Sequence, residues 1–318
     1  MTVNRFQCSN GERLAQVLAC DPVVPYRAYR LRAGGAPFDR WAAGRAARLL
    51  CNATGAFETD SGAIGWKSLA WDSELLGFAA ARIEVLATGG GYNEARDIAS
   101  QLIAKAVEDA VAIGACRHIV ARVDASSLAL SHALSANGFE LIDGIQTFAI
   151  DLPTAGGLAP PPGTRLANSA DADAIADIAR SSFIFDRFHS DISISSDAAN
   201  RLHETWARNS VACEAADAVL LAGLVEIDAF VTVKIDRDAA SPLGLSIASI
   251  PLVATRLEAR GQGAARRATN AATAWCRSQG VDIVEVGTQI ANVPAARLYQ
   301  SAGFRTTAIS LTYRKWID

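Results

Sequence analysis

The hydrophobic and polar positions between residues 100 and 152 predict two helices and two strands. Apolar residues recur every three to four positions over 100–114, which is typical of an amphipathic helix. Gly114 and Gly138 stand where these helices should end, because glycine is the usual helix stop signal. In chain order, the predicted elements are a helix over 100–114, a strand over 118–123, a helix over 127–139 and a strand over 146–152.

The same order of patterns recurs in the second half of the chain. Gly138-Phe139 falls on Gly303-Phe304 at an offset of 165 residues, and Gly114 falls on Gly280 at an offset of 166. We interpret this as an internal duplication at domain scale; the alternative is that two unrelated α/β halves share such an order. The repeated elements are a helix over 265–280, a strand over 282–288, a helix over 293–304 and a strand over 309–316.

A Pro/Gly-rich stretch, residues 151–164, separates the halves and has no apolar periodicity, as expected of a linker. We therefore predict a domain over 1–150 that includes an added head of about 60 residues, and a second domain over 165–318. Between residues 164 and 254 the pattern predicts a strand, two helices and three antiparallel strands.

Composition excludes several classes of protein. The chain is 50% hydrophobic and 20% charged, with a formal net charge of -3, so no general basic field favours nucleic acid. No apolar run approaches about 18 residues, and the start lacks the pattern of a signal peptide, so neither a membrane span nor export is expected. Four Lys among 30 basic residues, with abundant Ala, are typical of a GC-rich bacterial genome.

The cysteine and histidine spacings suggest no metal site. The six Cys form no CxxC pair, and the four His have no metal-ligand spacing. We therefore expect no metal, reduced and mostly structural thiols, and a cytoplasmic protein.

The stretch "ARGQGAARRA", residues 259–268, carries the first candidate chemistry. It joins a predicted strand to a predicted helix, so several backbone N–H groups without intrahelical partners should lie at the helix N-terminus. Gly261 and Gly263 would let the backbone approach an anion closely, and a pyrophosphate would fit. The motif lacks the GK[ST] of a P-loop and the acid of a dinucleotide fold, so a plain helix start explains it equally well.

Two motifs resemble the GNAT (GCN5-related) N-acetyltransferase superfamily over residues 165–318. Arg260, Gly263 and Ala265 fit that family's R/Q-x-x-G-x-G/A pyrophosphate loop. "NVPAARLYQSAGF" is similar to its later segment and supplies Asn292, Ala295, Leu298, Tyr299, Gly303 and Phe304. The resemblance implies an α/β (α+β GNAT) fold with two tandem halves, each a mixed, mostly antiparallel sheet flanked by helices.

The resemblance also implies an acyltransferase that uses acetyl-CoA as co-substrate. An amide on the strand before the loop, from Leu252 or Val253, should polarise the thioester. Tyr299 and Asn292 should be catalytic, with Tyr299 as the general acid. The implied cofactor-binding positions are Leu252, Val253, Ala254, Arg260, Gly261, Gln262, Gly263, Ala264, Ala265, Asn292, Ala295 and Tyr299.

A narrower resemblance is to the dTDP-fucosamine (dTDP-4-amino-4,6-dideoxygalactose) acetyltransferases. It rests on "LAWDSELLGF", "DRFHSD", "ETWARN", "VGTQIAN" and "LTYR". It implies a small-molecule acceptor, a primary amine on a nucleotide-linked sugar, with Arg187, His189 and Asp191 as substrate-binding residues. His189, Asp191 and Glu226 are the candidates for the general base that deprotonates the amine.

The first half should be a degenerate copy that binds no acetyl-CoA. Leu134 stands where Tyr299 stands in the second half, and Ser127 where Asn292 stands. The glycine turn is replaced by "YNEARDIAS", which puts Asp97 near the phosphate position, where a carboxylate would repel a phosphate.

Two other functions stay open at this point. One is a GNAT enzyme for another amine, such as an antibiotic, a polyamine, an amino acid or a protein N-terminus. The other is a non-catalytic acyl-CoA-binding protein, which would need neither Tyr299 nor Asn292.

Overall fold

The computed structural model describes residues 2–10, 14–19, 24–153 and 159–317. The chain folds into two compact units. The first unit comprises Met1–Gly144 with Ile309–Asp318, and the second unit comprises Ile145–Ala308. The centre of the predicted linker, residues 154–158, lies outside the described residues. The domain boundaries that the sequence suggests stay a prediction.

The first unit contains a mixed sheet and the helices that flank it. Its strands are β1 Asn4–Arg5, β2 Gly55–Glu58, β3 Gly62–Ser68, β4 Ala80–Thr88 and β5 His118–Asp124. Its helices are α1 Ala15–Ala19, α2 Gly35–Cys51, α3 Ala70–Leu76, α4 Tyr92–Gly114 and α5 Leu128–Ala136. The chain then enters β6 Glu140–Asp151, which belongs to the second unit from Ile145 onward.

The second unit also consists of a mixed sheet and flanking helices. Its strands after β6 are β7 Thr164–Leu166, β8 Ala218–Ala222, β9 Ala229–Asp236, β10 Ile247–Ile250, β11 Val253–Thr255 and β12 Ile283–Gln289. Its helices are α6 Ala172–Ser182, α7 Arg187–Ser190, α8 Ser196–Val211, α9 Arg237–Leu243, α10 Ala264–Ser278 and α11 Val293–Ser301. The last strand, β13 Arg305–Trp316, belongs to the first unit from Ile309 onward. None of the helices in the described ranges combines the length and the apolar character needed to cross a bilayer.

The last strand of the chain completes the sheet of the first unit. The strand order there is β1-β2-β3-β4-β5-β13, with β4 and β5 parallel and the other neighbours antiparallel. Ser310 through Trp316 pair with His118 through Asp124. The long helix α4 buries Ile98, Leu102 and Ile103 in the core of this unit.

The sheet of the second unit carries the elements of the candidate site. Its strand order is β6-β12-β10-β9-β8-β7, with β11 paired to β9. Only β10 and β12 are parallel among these described pairs. Helix α10 buries its alanine-rich face, including Ala268, Ala271 and Ala272, in the core with β8 and β9. Small side chains let this helix lie close to the sheet.

The predicted order of elements in the second half agrees with the structure, apart from one divided strand and two short helices that were not predicted, α7 and α9. The single strand predicted over 244–254 is divided into β10 and β11 at Pro251-Leu252. Proline has no N–H to donate to a sheet ladder, so the strand is interrupted there. Helix α9 was not predicted; the Asp236 side chain begins it by accepting hydrogen bonds from the amides of Asp238 and Ala239.

The cysteines differ from the expectation of reduced thiols. Cys8 and Cys51 form a disulfide with a Cα–Cα distance of 5.6 Å, so that expectation is wrong for this pair. Cys116, Cys213 and Cys276 are free, and Cys20 lies outside the described residues. Burial raises the pKa of the Cys276 thiol to about 12, which fits a structural role.

Candidate functional site

Two parallel strands of the second unit separate and leave an opening between them. The β10–β12 pairing ends at Ile250 and Val286. Beyond this point β11 stays with β9, whereas β12 stays paired with β6 as far as Gln289. The facing edges of β11 and the end of β12 therefore diverge.

The hydrogen bonds of β11 show which of its amides face this opening. Thr232 N–H donates to the Leu252 carbonyl at 3.0 Å, and Arg256 N–H donates to the Asp228 carbonyl at 2.8 Å. Because hydrogen-bonded positions alternate along an antiparallel pair, the Val253 amide points away from β9 and into the opening. The Leu252 amide instead donates to the Thr232 hydroxyl at 2.9 Å. Of the two predicted amide donors, Val253 is the one directed into the opening.

The glycine turn connects β11 to α10 and has a backbone that requires glycine. Gly261 and Gly263 both have φ of +75°, in the left-handed region. A Cβ built on Gly261 would meet no atom within 4 Å, so conformation rather than lack of space requires glycine there. Arg260 is extended and exposed before this turn.

The N-terminus of α10 presents amides that have no hydrogen-bond acceptor among the described residues. The first amide of the helix with a backbone acceptor is that of Arg267, which donates to the Gly263 carbonyl at 3.0 Å. The amides of Ala264 and Ala265 have no acceptor in the part of the chain that the structure describes. The first turn of α10 contains no acidic residue. The partial positive charge of this helix end is therefore available to an anion.

Side chains brace the glycine turn from both sides. Gln262 Nε2 donates to the Glu258 carbonyl at 2.8 Å, and Arg267 Nη1 donates to the Gln262 carbonyl at 3.1 Å. Arg266 Nη2 reaches the carbonyl of Ser301 at the end of α11, at 3.1 Å. These contacts stabilise the turn and fix the position of α10 relative to the end of α11.

Tyr299 lies on α11, which follows β12, and Asn292 immediately precedes this helix. The Asn292 Oδ1 accepts a hydrogen bond from the Ala295 amide at 3.3 Å and so caps the helix. Tyr299 is 3% exposed, with its ring centroid 5.7 Å from that of Phe148 and 6.0 Å from that of Phe304. Burial raises the pKa of the Tyr299 phenol above its ordinary value, so the hydroxyl keeps its proton.

The Tyr299 hydroxyl has no hydrogen-bond partner among the described residues, and it is not one of the fully enclosed polar atoms that lack one. It therefore retains a small accessible surface. A phenol with a buried ring and an accessible, unpaired hydroxyl is suited to donate to a ligand.

The three predicted substrate residues lie together in and beside α7. Arg187 stacks on Phe188, with Cζ 4.3 Å from the ring centroid. His189 has both ring nitrogens engaged, Nδ1 with Asp186 Oδ2 at 2.5 Å and Nε2 with Asn200 Oδ1 at 3.0 Å. Asp191 is buried and accepts a hydrogen bond from the Ser193 amide at 3.0 Å.

Glu226, the third candidate base, lies on the turn between β8 and β9. Its carboxylate forms an ion pair with Arg256, which also pairs with Asp228 at 2.9 Å. These residues, with Arg267, line a cavity of 590 Å³.

The sequence analysis missed a histidine that lies against α7. His203 on α8 is buried, and its ring stacks on Phe183 with centroids 4.4 Å apart. Its Nδ1 donates to the Ala199 carbonyl at 2.9 Å, and burial lowers its pKa below the ordinary value. Asp186 and Asn200, which bind His189, were missed as well. Their i,i+3 spacings from His189 and His203 are visible in the sequence, but the contact between the two helices is not.

The first unit has an opening like that of the second unit but a different helix N-terminus. The parallel pairing of β4 with β5 ends at Ile83 and Ala121. A Cβ on Gly90 would lie 2.3 Å from Glu94 Oε2, so the Glu94 carboxylate lies over the turn that begins α4. Asp97, expected near the phosphate position, instead pairs with Arg96 on the surface. The acid at this helix end is therefore Glu94.

At the positions of Tyr299 and Asn292, the first unit has residues without comparable contacts. Leu134 is fully buried in the core, and Ser127 stands before α5 without a capping hydrogen bond from its side chain.

Comparison with known proteins identifies the type of fold. Residues 177–304 match the model of the Acetyltransferase (GNAT) family. No curated protein sequence matches the chain significantly.

Solved structures match nearly the whole chain at low sequence identity. A GCN5-related N-acetyltransferase from Sphaerobacter thermophilus is 13% identical with a TM-score of 0.59, over 99% of this chain and 95% of that one. A tandem GNAT protein from the clavulanic acid biosynthesis pathway is 11% identical with a TM-score of 0.54, over 99% and 98%. A GCN5-related glucosamine N-acetyltransferase region of a fungal multi-domain GH3 β-N-acetylglucosaminidase is 12% identical with a TM-score of 0.62, over 98% and 38%.

The predicted fold class is confirmed: a mixed α/β fold, with GNAT neighbours that include a tandem GNAT protein. The family match over residues 177–304 supports an acyltransferase. GNAT enzymes generally use acetyl-CoA.

Proposed function

We propose that the protein transfers an acetyl group from acetyl-CoA to a primary amine, in the opening between β11 and β12 of the second unit. The observation that carries this proposal is the combination of a strand amide, Val253, directed into the opening with an unneutralised helix N-terminus directly after that strand. The first can polarise a thioester carbonyl, and the second can hold a pyrophosphate. We also propose residues 165–318 as the catalytic domain.

The cofactor would bind along β11 and the glycine turn. Its pyrophosphate would lie against the amides of the segment from Arg260 to Ala265, where both glycines have left-handed backbone. Its pantetheine arm would follow the edge of β11 from Ala254 back to Leu252. Asn292, Ala295 and Tyr299 would border the thiol end from α11, because Asn292 begins that helix directly after β12.

In the reaction, the neutral amine attacks the thioester carbon and forms a tetrahedral intermediate. The Val253 amide would stabilise the developing oxyanion, which is worth roughly 2.7–4 kcal/mol for comparable donors. Holding the amine beside the thioester supplies the larger share through effective molarity. The intermediate then releases the CoA thiolate, and the Tyr299 hydroxyl donates the proton that this thiolate accepts.

We propose that the proton of the amine leaves through water rather than directly to a side chain. His189 is held by Asp186 and Asn200, and Glu226 is paired with Arg256. Asp191 is buried and accepts a backbone hydrogen bond. Each of the three predicted bases is thus already engaged.

For the acceptor, we propose the amino group of a nucleotide-linked amino-deoxysugar. Its support is the similarity of "LAWDSELLGF" and "DRFHSD" to dTDP-fucosamine acetyltransferases. The fungal region with this fold is named for glucosamine, also an amino sugar, although at 12% identity it shares only the fold with this chain. Arg187, beside the other two substrate residues, would bind the negatively charged nucleotide part.

A cytoplasmic location remains part of this proposal. It fits a nucleotide sugar and acetyl-CoA as substrates.

The test is release of free thiol from acetyl-CoA in the presence of a panel of amines. Activity with dTDP-4-amino sugars alone would support the full proposal. Activity only with antibiotics, polyamines, amino acids or peptide N-termini would support acetyl transfer and refute the sugar. If no amine gives thiol release, the result would refute acetyl transfer and support a non-catalytic acyl-CoA-binding protein.

A matched pair of variants distinguishes loss of cofactor binding from a general loss of structure. Gly263→Glu would fill the phosphate position and add a repelling charge, so the KM for acetyl-CoA should rise strongly. Gly280→Glu at the other end of α10 is the control, because Gly280 also has left-handed backbone, with φ of +74°, and open space at its Cβ. Equal effects of the two changes would refute the pyrophosphate assignment.

A further inference from the structure

Three potential metal ligands converge between α7 and α8. The Asp186 Oδ2 lies 2.5 Å from His189 Nδ1 and 3.8 Å from His203 Nε2. All three ligand atoms lie within 4.8 Å of one another. No part of the acetyl transfer described above uses this cluster as a group.

Both imidazole rings are fixed from behind by a hydrogen bond of the other nitrogen. His203 Nδ1 faces the Ala199 carbonyl, which can only accept, so this nitrogen carries the hydrogen. His189 Nε2 faces Asn200 Oδ1 in the same way. Metal-binding histidines are usually held in this manner, with the second N–H donated to a carbonyl or carboxylate. On each ring, the nitrogen that faces Asp186 is therefore the one that would bind a ligand, and on His189 the ion would replace the hydrogen bond to Asp186 Oδ2.

The carboxylate of Asp186 is also divided between two roles. Its Oδ1 accepts hydrogen bonds from the amides of Phe188 at 2.9 Å and His189 at 3.3 Å, which caps α7. Its Oδ2 is left to face the two imidazoles. One oxygen thus anchors the side chain, and the other is presented as a ligand.

His203 supplies a second, independent observation at this cluster. It is 3% exposed and walled by Phe183, Phe188 and Trp206. Its Nε2 forms no hydrogen bond within the described residues, because Asp186 Oδ2 is too far away at 3.8 Å. Nε2 is not fully enclosed, so a small ligand can reach it, and it faces the Asp186 carboxylate of the cluster.

We propose that Asp186, His189 and His203 bind a divalent first-row transition ion, with Zn²⁺ as the expected occupant and water as the fourth ligand. Two imidazoles and one carboxylate are a common donor set for zinc with an open position. Ligand atoms of a tetrahedral zinc lie about 3.3 Å apart, from bond lengths of about 2.0–2.1 Å. The two distances to Asp186 Oδ2, 2.5 and 3.8 Å, lie on either side of that value.

The ion would fasten α7 onto α8. Because α7 has only four residues, it has little stability of its own, and the ion would hold the predicted substrate segment in one conformation. The site does not depend on acetyl transfer, and it is tested without measuring activity.

The experiment is a titration of the metal-stripped full chain with Co²⁺, followed by visible absorption and then by displacement with Zn²⁺. A Cys213→Ser background removes an exposed thiol that could compete for the ion. We expect one Co²⁺ per chain with the intense absorption of a tetrahedral site, and loss of the signal when Zn²⁺ is added. Failure of the chain to bind either ion would overturn the proposal.

Variants locate the ion and separate binding from folding. Asp186→Asn keeps an oxygen to cap α7 but removes the anionic ligand, and His203→Phe keeps the stacked ring but removes the nitrogen. Both should abolish the Co²⁺ signal, and Asn200→Ala should weaken binding by about 10–100-fold, as for other residues that orient a ligand. Circular dichroism in EDTA checks that the folds are equal.

His132→Gln is the matched control, because His132 lies on α5 of the first unit, away from the cluster in sequence and exposed. It should bind Co²⁺ like the wild type. Retained binding in Asp186→Asn, or equal loss in His132→Gln, would place the ion elsewhere and overturn the proposal. If His203→Phe does not fold, Asp186→Asn decides alone.

Discussion

Replacing Tyr299 with Phe should separate catalysis from stability. The ring contacts with Phe148 and Phe304 would be kept, because only the hydroxyl is removed. That hydroxyl has no hydrogen bond to lose within the described chain, and an unsatisfied polar group in a buried position costs about 1–3 kcal/mol. Since the hydroxyl keeps a small accessible surface, we expect the variant to be as stable as the wild type or more stable by up to about 1 kcal/mol.

In contrast to the stability, kcat of the Tyr299→Phe variant should fall. If the hydroxyl protonates the CoA thiolate, its loss should lower kcat by about 10²–10⁴-fold, the usual range for a general acid. This corresponds to about 2.7–5.4 kcal/mol of transition-state stabilisation at about 1.36 kcal/mol per factor of ten. The dissociation constant for acetyl-CoA should change little, because the acid acts only after attack. Burial raises the pKa of Tyr299, so the acid should stay protonated, and kcat should not fall on the alkaline side up to its ordinary pKa of about 10.

The assay combines single-turnover thiol release, calorimetric binding of acetyl-CoA and urea unfolding of both proteins. Tyr313→Phe is the matched control, because Tyr313 is also a buried tyrosine but lies in β13 within the core of the first unit. It should leave kcat unchanged. A Tyr299→Phe enzyme whose kcat stays within a few-fold of the wild type, with chemistry rate-limiting, would refute the assignment and leave water to protonate the thiolate.

Three further predictions concern the acceptor, the first unit and the stability of the second unit. Arg187→Ala should raise the KM for the acceptor and leave acetyl-CoA affinity unchanged in steady-state kinetics; unchanged acceptor kinetics would remove Arg187 from the site. Calorimetric titration should give one acetyl-CoA per chain, because Glu94 covers the helix end of the first unit, and two tight sites would contradict this. The hydrogen bond from Arg165 lowers the pKa of Asp171, so the ionised carboxylate stabilises the folded state. At neutral pH, Asp171→Asn should therefore be less stable than the wild type, and this difference should vanish as the pH falls below about 3.9 and through the lower folded pKa. A difference in urea unfolding that does not depend on pH would refute this.

Local patterns made most of the second unit predictable. Helix α10 could be located because alanines recur with helical period and glycines stand at both ends, at Gly263 and Gly280. The sequence also indicates the turn before it, since both glycines there need left-handed backbone. The choice between Leu252 and Val253 could not be made from sequence, because it depends on the partner strand, where the Thr232 hydroxyl takes the Leu252 amide.

Features that depend on contacts between distant segments could not be predicted. His203 lies on a different helix from Asp186, and no local periodicity encodes how α7 packs on α8. The Cys8–Cys51 bond spans a sequence separation of 43, and spacing alone does not determine a pairing. The role of Glu94 depended on the rotamer of its side chain over Gly90, which the sequence does not reveal.

The final strand has a consequence for how the chain folds as it leaves the ribosome. Asp124 pairs with Ser310, so 186 residues (310 minus 124) must be synthesised before this pair can form. Until then β5 has an unpaired edge on the side that β13 later covers, and an unpaired strand edge can recruit other chains. Synthesis from the N-terminus therefore cannot complete the first unit before the second unit has been made. A nonsense mutation shortly before Ile309 should yield an aggregating chain even though every residue of the glycine turn and of α11 is present.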